Sequence, residues 1–303
     1  FYPGCVSRGA APELFMATIE VCRKIGIDLA FEPMKGASCT GAGVLQEKNQ
    51  RLGDTLNART FALAEQTGMP LMNICSTCQG VMSQAEYRLE DEEYRAQINE
   101  TLAEEGLKYT GKTPTRHILW IIVEEIGEKK FKALVKRQLE GLRLAPFYGC
   151  YLVRPSKALK FYEKPERETC LEDLTEWVGA TVVDFPGKTA CCGFPIVTIN
   201  EKASLKMVGN HTSTAKDLGA AAMVTPCPLC HLNLDQYQDR AAWMMEREID
   251  LPIIHVPQLV GLALGLDPEE LKINKHVIST KKLLSEICLL YTSPSPRDGL
   301  LSR

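Results

Sequence analysis

Cysteine placement constrains this chain more than any other feature. Nine of its twelve cysteines fall into two copies of one pattern. The second copy reads Cys150, then the adjacent pair Cys191-Cys192 followed by Gly193, then Cys227-Pro-Leu-Cys230. The first reads Cys5, then Cys39-Thr40-Gly41, then Cys75-Ser-Thr-Cys78. Cys39 and Cys75 stand 36 residues apart in sequence, and so do Cys191 and Cys227. Thiolates that recur twice at one spacing point to two metal centres.

The bulk numbers agree with a soluble, metal-binding chain. At 303 residues there is material for two modest domains, each with its own core. Apolar content of 45% and charged content of 24% are ordinary for a globular protein. The net charge of -3 and the lack of a basic run argue against nucleic acid as a partner. No stretch approaches the roughly 20 apolar residues that span a bilayer, so membrane contact is expected to be peripheral at most. No secretory leader is legible, and cysteines in a reducing compartment favour metal over disulfides. The chain begins at Phe1 rather than Met, which leads us to expect a natural N-terminus further upstream. From Cys288 the text turns abruptly to CLLYTSPSPRDGLLSR, and residues 288–303 are expected to be a foreign, adapter-derived tail.

The repeat extends beyond the cysteines. Phe1-Tyr-Pro-Gly-Cys5 answers Phe147-Tyr-Gly-Cys150, and each reads as a strand ending in a tight turn. Helical periodicity follows over 13–27 and 171–178, then strands over 27–31 and 180–185 that lead to the central cysteines. A second helix, over 50–68 and 201–219, precedes a short apolar strand, 70–74 and 221–225, that runs into each Cys-x-x-Cys. Alternating strands and helices predict an α/β fold: two tandem pseudo-symmetric domains, each a small, mostly parallel sheet flanked by helices. Sites in such sheets lie at the carboxyl ends of strands, so the three cysteine elements of each half should converge. The expected divisions are 1–142 (first domain with a helical connector), 143–267 (second domain) and 268–287 (a helical extension). The connector's expected buried face is Leu119, Ile122, Ile126, Phe131 and Leu134.

Five thiols in the second site exceed what a tetrahedral zinc or an ordinary cubane cluster uses. The set Cys150, Cys191, Cys192, Cys227 and Cys230 therefore argues for an iron–sulfur cluster of unusual shape. Adjacent side chains on an extended chain point apart, and Gly193 permits the sharp turn that would bring the pair to one cluster. In the first site Thr40 stands where Cys192 stands in the second. Cys5, Cys39, Cys75 and Cys78 still supply four thiolates, enough for zinc or for a cluster. Arg8 and Arg154 are candidates to offset cluster charge, with solvated surface arginines as the bland alternative. His231 is expected beside the site or exposed. Cys22 and Cys170 fall outside the repeat and read as buried small hydrophobes. No dinucleotide or phosphate-binding glycine motif appears, and no catalytic residue is assigned.

These motifs resemble the cysteine-rich CCG domain pair in the B-type subunit of heterodisulfide reductase, over residues 1 to about 267. The resemblance rests on Phe147-Tyr-Gly-Cys150, Cys191-Cys-Gly193 and Thr225-Pro-Cys-Pro-Leu-Cys-His231. It implies a noncubane 4Fe–4S cluster on each complete motif, with paired clusters handling a disulfide. Other phrases look more like the CCG-domain subunit of one class of succinate:quinone reductase (succinate dehydrogenase or fumarate reductase). They are Phe1-Tyr-Pro-Gly-Cys-Val-Ser-Arg8, Ala37-Ser-Cys-Thr-Gly-Ala-Gly43 and Ile74-Cys-Ser-Thr-Cys-Gln-Gly80, and Thr40 agrees with that branch. The resemblance implies an oxidoreductase subunit that passes electrons between a partner iron–sulfur subunit and a disulfide or quinone. A flavoprotein subunit would supply the remaining chemistry. The expected place is the cytoplasm or the inner face of the cytoplasmic membrane. The competing class is a non-enzymatic, zinc-stabilised docking protein.

Overall fold

The computed structural model describes residues 1–292. The part of the expected tail from 293 onward lies outside them. In the first half the order is α1 (Cys5–Gly9), α2 (Pro12–Ile25), α3 (Val44–Lys48), α4 (Gln50–Glu65), β1 (Leu71–Asn73), α5 (Ser76–Arg88), α6 (Glu92–Leu102), β2 (Thr115–His117), α7 (Ile118–Trp120) and α8 (Gly127–Leu134). A π-helical turn, Ile121–Ile126, joins α7 to α8. The second half runs β3 (Arg143–Pro146), α9 (Cys170–Trp177), β4 (Thr181–Val182), α10 (Glu201–Asp217), β5 (Ala222–Thr225), α11 (Pro228–Gln236), α12 (Gln238–Met244), β6 (Ile253–His255) and α13 (Val256–Ala263). The last helix is α14 (Lys281–Thr292).

Local chemistry explains the boundaries. Pro12 opens α2, where its missing N–H costs nothing, and Gly26 in the left-handed conformation closes it. The long helices α4 and α10 are capped alike: Asn49 accepts from the Leu52 amide at 3.0 Å and Asn200 from the Ala203 amide at 3.1 Å. The same residue at equivalent positions shows that the repeat reaches into helix capping.

The second half forms a four-stranded parallel sheet in the order β4-β3-β5-β6. The first half keeps β1 and β2, also parallel, with Tyr2 bridging to Asn73 where the second half has a full strand. Register is shared: His117 lies opposite Asn73, and His255 lies opposite Thr225. In both halves the Cys-x-x-Cys starts two residues after that partner.

The halves interlock. Helix α2 packs on α13, and α9 packs on α7 and the π-helical turn. Each half therefore lays its first long helix on the last helix of the other. Leu14, Val21, Leu119, Ile122, Leu171, Leu174, Leu259 and Val260 accordingly belong to one buried core. Each such side chain contributes about 2 kcal/mol through burial. All of α13 is buried, so its apolar character serves the core.

Three expectations need correction. The strand expected over 27–31 is absent. Phe31 instead joins Phe1 and Phe15 in an aromatic trio with centroids 5.7–6.1 Å apart, and a short 3-10 helix follows at Glu32–Met34. Aromatic packing here took the apolar residues that a pleat would have used. The segment read as a helical connector contains β2, the last strand of the first half, whose three polar-looking residues carry no periodic signal. Its expected buried face holds for Leu119, Ile122 and Phe131, while Ile126 is half-buried and Leu134 is exposed. The helix turns those last two outward because α8 restarts at Gly127 with a new phase.

Candidate metal centres

Each cysteine takes its position from the element beside it. Cys150 follows β3, Cys191 and Cys192 lie in the loop after β4, and Cys227 caps α11, which carries Cys230. Cys5 starts α1, Cys39 lies in the loop before α3, and Cys75 caps α5, which carries Cys78. The expected convergence therefore occurs, although Cys39 follows a 3-10 turn rather than a strand.

The second-site thiols form a string of neighbours. Cys150 neighbours Cys191, Cys191 neighbours Cys192, Cys192 neighbours Cys230, and Cys230 neighbours Cys227. The string continues into the first half, because Cys227 also meets Cys75, and Cys75 meets Cys78. In the first site the Cys5 and Cys39 sulfurs are 3.9 Å apart and exposed. The two candidate centres thus touch at the helix caps.

Hydrogen bonding between neighbours splits the thiols by acidity. Cys191 and Cys227 are pulled down, each first by a neighbouring thiol donor, Cys150 and Cys230 respectively. Hydrogen bonding to a neighbour followed by burial pushes Cys75, Cys150 and Cys230 up, and Cys192 rises chiefly through Cys191. To ligate a metal, all of these thiols would have to give up their protons, so affinity at the site would rise with pH.

The Cys191-Cys192 turn is held from outside. Gly193 takes the left-handed conformation that the turn requires. The His211 ring nitrogen pairs with the Cys191 carbonyl at 2.9 Å, and Asn233 donates to the Cys192 carbonyl at 2.7 Å. In the first half Asn57 donates to the Thr40 carbonyl at 3.0 Å, a similar support that comes from α4 rather than from the helix after the Cys-x-x-Cys. The halves are locked at the Pro226 carbonyl, just before Cys227. It accepts from the Ser76 amide at 3.3 Å and the Ser76 hydroxyl at 3.1 Å, and it pairs with His117 at 3.1 Å.

Sequence reasoning missed His117, His211, Asn233 and Asn57. The one signal available for His117 was its place in the repeat, at a strand-to-helix junction matched by His255. The side residues it did name fare unevenly. Arg8 is exposed on α1, and Arg154 is exposed and donates to the Thr189 carbonyl in the loop before Cys191. His231 is neither exposed nor turned toward the sulfurs. It is buried, stacks on His255 at 3.9 Å and pairs with His276 at 2.7 Å. Helical geometry explains the correction, since neighbouring residues on α11 face different sides. Cys22 and Cys170 are core residues, and burial pushes the Cys22 thiol up to about 12.

A cavity of about 240 Å³ opens beside the second site. Cys150, Cys192, Cys227 and Cys230 line it with Tyr148, Tyr151, Phe194 and Leu229, and the first half contributes Glu47 and Thr77. Sulfurs on a single tetrahedral zinc lie about 3.8 Å apart, given bonds of about 2.3 Å. Among the described residues no three thiol sulfurs all lie within 4.8 Å of one another.

Comparison with known proteins agrees with this geometry. The model of the cysteine-rich domain family CCG matches residues 1–83 and 144–235. The chain is 38% identical over 283 residues to the 8-methylmenaquinol:fumarate reductase membrane anchor subunit of Wolinella succinogenes, covering 93% of this chain and 98% of that one. It is 31% identical to the B-type subunit of the ferredoxin/F(420)H(2)-dependent CoB-CoM heterodisulfide reductase of Methanosarcina acetivorans, covering 94% and 95%. Both relatives are named as subunits of oxidoreductases. A crystal structure of a hypothetical protein from Helicobacter pylori shares the fold, with a TM-score of 0.71 at 15% identity. It covers 92% of this chain, which spans 51% of that one. The chain belongs to the cysteine-rich CCG domain family.

Proposed function

We propose that this chain is the iron–sulfur electron-transfer subunit of a multi-subunit oxidoreductase, with a quinone as the reactant at its second site. Membership in a cysteine-rich family with heterodisulfide reductase relatives implies iron–sulfur binding. One observation carries the finer reading: the second-site thiols form a string around a cavity, too open for a single ion. In this reading Cys150, Cys191, Cys192, Cys227 and Cys230 hold a noncubane 4Fe–4S cluster. Cys5, Cys39, Cys75 and Cys78 hold a second centre, either a 4Fe–4S cluster or zinc. A bound iron–sulfur cluster supplies one-electron redox chemistry.

The chain's own residues then have definable tasks. His211 and Asn233 fix the carbonyls of the cysteine pair and so orient its thiols. Burial of Cys192, Cys227 and Cys230 keeps water from the sulfurs and sets the local dielectric that tunes potential. Tyr148, Tyr151, Phe194, Pro195 and Leu229 give the cavity apolar walls; among the described residues Glu47 is its one charged lining residue and no Lys or Arg lines it. Such walls suit the uncharged ring of a quinone, whereas an anionic disulfide would meet a carboxylate and no cation. The higher identity to the fumarate reductase relative favours the same branch. The partners in this reading are an iron–sulfur subunit and a flavoprotein subunit. Among the described residues no helix is long and apolar enough to cross a membrane, so a place at the membrane surface would be peripheral.

The test is metal analysis and paramagnetic resonance on the anaerobically purified chain. The reading expects a brown protein with about four irons per complete site. Its second-site signal should shift when a naphthoquinone analogue is added. A colourless, zinc-only protein would return the chain to the docking class. A signal that responds to a disulfide and ignores the quinone analogue would move it to the heterodisulfide branch.

A further inference from the structure

We propose that Glu13, His231 and His255 bind one divalent transition-metal ion of the zinc class, at a site separate from both cysteine centres. Three of the chain's five histidines gather in one place: His231 from α11, His255 from the end of β6, and His276 from the segment before α14. Their ring centroids lie 3.9, 4.6 and 5.9 Å apart. Glu13 reaches them from α2, in the other half of the molecule. One ligand atom from each of Glu13, His231 and His255 lies within 4.8 Å of the others, and all three residues are buried.

At least one imidazole nitrogen of the group has no partner among the described residues. Nδ1 of His231 is buried without a hydrogen-bond partner among the described residues. Its other nitrogen, Nε2, pairs with the Ile253 carbonyl at 3.1 Å and with Nδ1 of His276 at 2.7 Å. That is how a ligating imidazole is set up, with one nitrogen anchored by a neighbour and the other presenting a lone pair. Nε2 of His255 and Oε1 of Glu13 are 3.3 Å apart, long for a charge-assisted hydrogen bond. The same separation is close to the edge of a tetrahedron with bonds of about 2.0 Å, which is about 3.3 Å. Two imidazoles and one carboxylate suit zinc or a similar borderline ion, and the single carboxylate halves its charge in a buried setting.

The first half supplies an internal control. Gln79 stands where His231 stands, and it is tied to Asn73 at 2.7 Å, Ser83 at 2.8 Å and Thr115 at 3.2 Å. The equivalent pocket there is an amide and hydroxyl network with no second imidazole at Gln79, and its nearby carboxylate, Glu86, is taken by the Thr115 amide at 2.8 Å. Asp235, one turn along α11, is already committed to the Val277 and Ile278 amides, so Glu13 is the carboxylate left to ligate. An ion here would staple α2 to α11, the helix that carries Cys227 and Cys230. His276 is half-buried and offers the way in from solvent.

The experiment uses the full, iron-loaded chain, briefly treated with chelator and then titrated with zinc. The expected result is one zinc per chain beyond any held by the first cysteine site, and its X-ray absorption, taken as wild type minus Glu13→Gln, fits nitrogen and oxygen neighbours only. Glu13→Gln and His255→Gln should each remove that zinc and leave the iron content unchanged. Wild-type Tm should also rise with zinc concentration, a readout that needs no variant. Zinc seen only with sulfur neighbours, an unmoved wild-type Tm, or zinc retained in both variants would overturn the proposal.

Discussion

In the first half Cys5 and Cys39 lie exposed at the surface, whereas in the second Cys192, Cys227 and Cys230 are buried beside a cavity. The sheets differ, two strands against four, but the frame around the cysteines is alike. Both halves cap a helix with the first cysteine of a Cys-x-x-Cys, both place an asparagine on the carbonyl of the central turn, and both end a strand in a histidine. What diverges is the chemistry presented: Thr40 against Cys192, Gln79 against His231. A duplicated scaffold can keep its hydrogen-bonded frame and change single side chains: Thr40 and Cys192 differ at the thiol sites, Gln79 and His231 in a polar pocket behind them.

The largest expected effect comes from exchanging the residues that distinguish the halves. Cys192→Ser should remove or reshape the second-site cluster, with a loss of up to about four irons per chain, while Cys22→Ser leaves iron unchanged. Thr40→Cys, which completes the first motif, should change that site's spectrum if it already holds a cluster and add iron if it holds zinc. Iron analysis and resonance spectra on the three variants decide the matter, and an unchanged Cys192→Ser would break the five-ligand assignment.

The glycines before the first cysteine of each half give the next contrast. A Cβ on Gly149 would lie 2.7 Å from the Cys230 sulfur, but one on Gly4 would lie 3.5 Å from the Cys78 sulfur. Both residues have positive φ, so alanine costs about 1–2 kcal/mol at either. Only Gly149→Ala should also displace a thiol, and it should lose iron where Gly4→Ala loses stability alone. Equal iron in the two would undo the claim that the second site is the tighter one.

Removing the carbonyl supports tests the frame itself. Asn233→Ala and Asn57→Ala should each destabilise the chain by about 1–3 kcal/mol, through the buried carbonyl left unpaired. The first should in addition alter the second-site spectrum. Urea midpoints with spectra report both.

A smaller effect concerns the seam between the halves. Burial holds the His117 ring down to about 4, against an ordinary value of 6.5. The unfolded chain takes up a proton below about 6.5 and the folded one resists until about 4, so this contribution is whole above 6.5 and is lost as pH falls toward 4. At pH 5 the loss is about 2 kcal/mol. The fall in urea midpoint between pH 7 and pH 5 should shrink in His117→Gln, and an identical fall would mean that His117 does not govern the seam.

The cysteine repeat made the site legible early, because thiols at a fixed spacing have few other uses. The long helices were legible for a similar reason: α2, α4 and α10 carry periodic apolar faces, and α4 and α10 open on asparagine caps. The strand β2 was not, since three residues reading Thr-Arg-His hold no period. The supposed strand over 27–31 misled because an aromatic cluster and a pleat make the same demand for apolar side chains. His231 illustrates the limit best, for its position beside Cys230 in sequence says nothing of which way a helix turns it.

The linear text by itself determined that two thiol-rich sites exist, which residues supply them, and that they ride on parallel α/β units. Residue type and helical period are local properties that can be read without knowing how distant segments pack. Only the tertiary structure decided that the halves exchange helices, that Cys75 meets Cys227, and that Glu13 finds His255 across 242 positions of chain. Those pairings depend on how separate cores pack together, and packing is a property of the whole surface of each element.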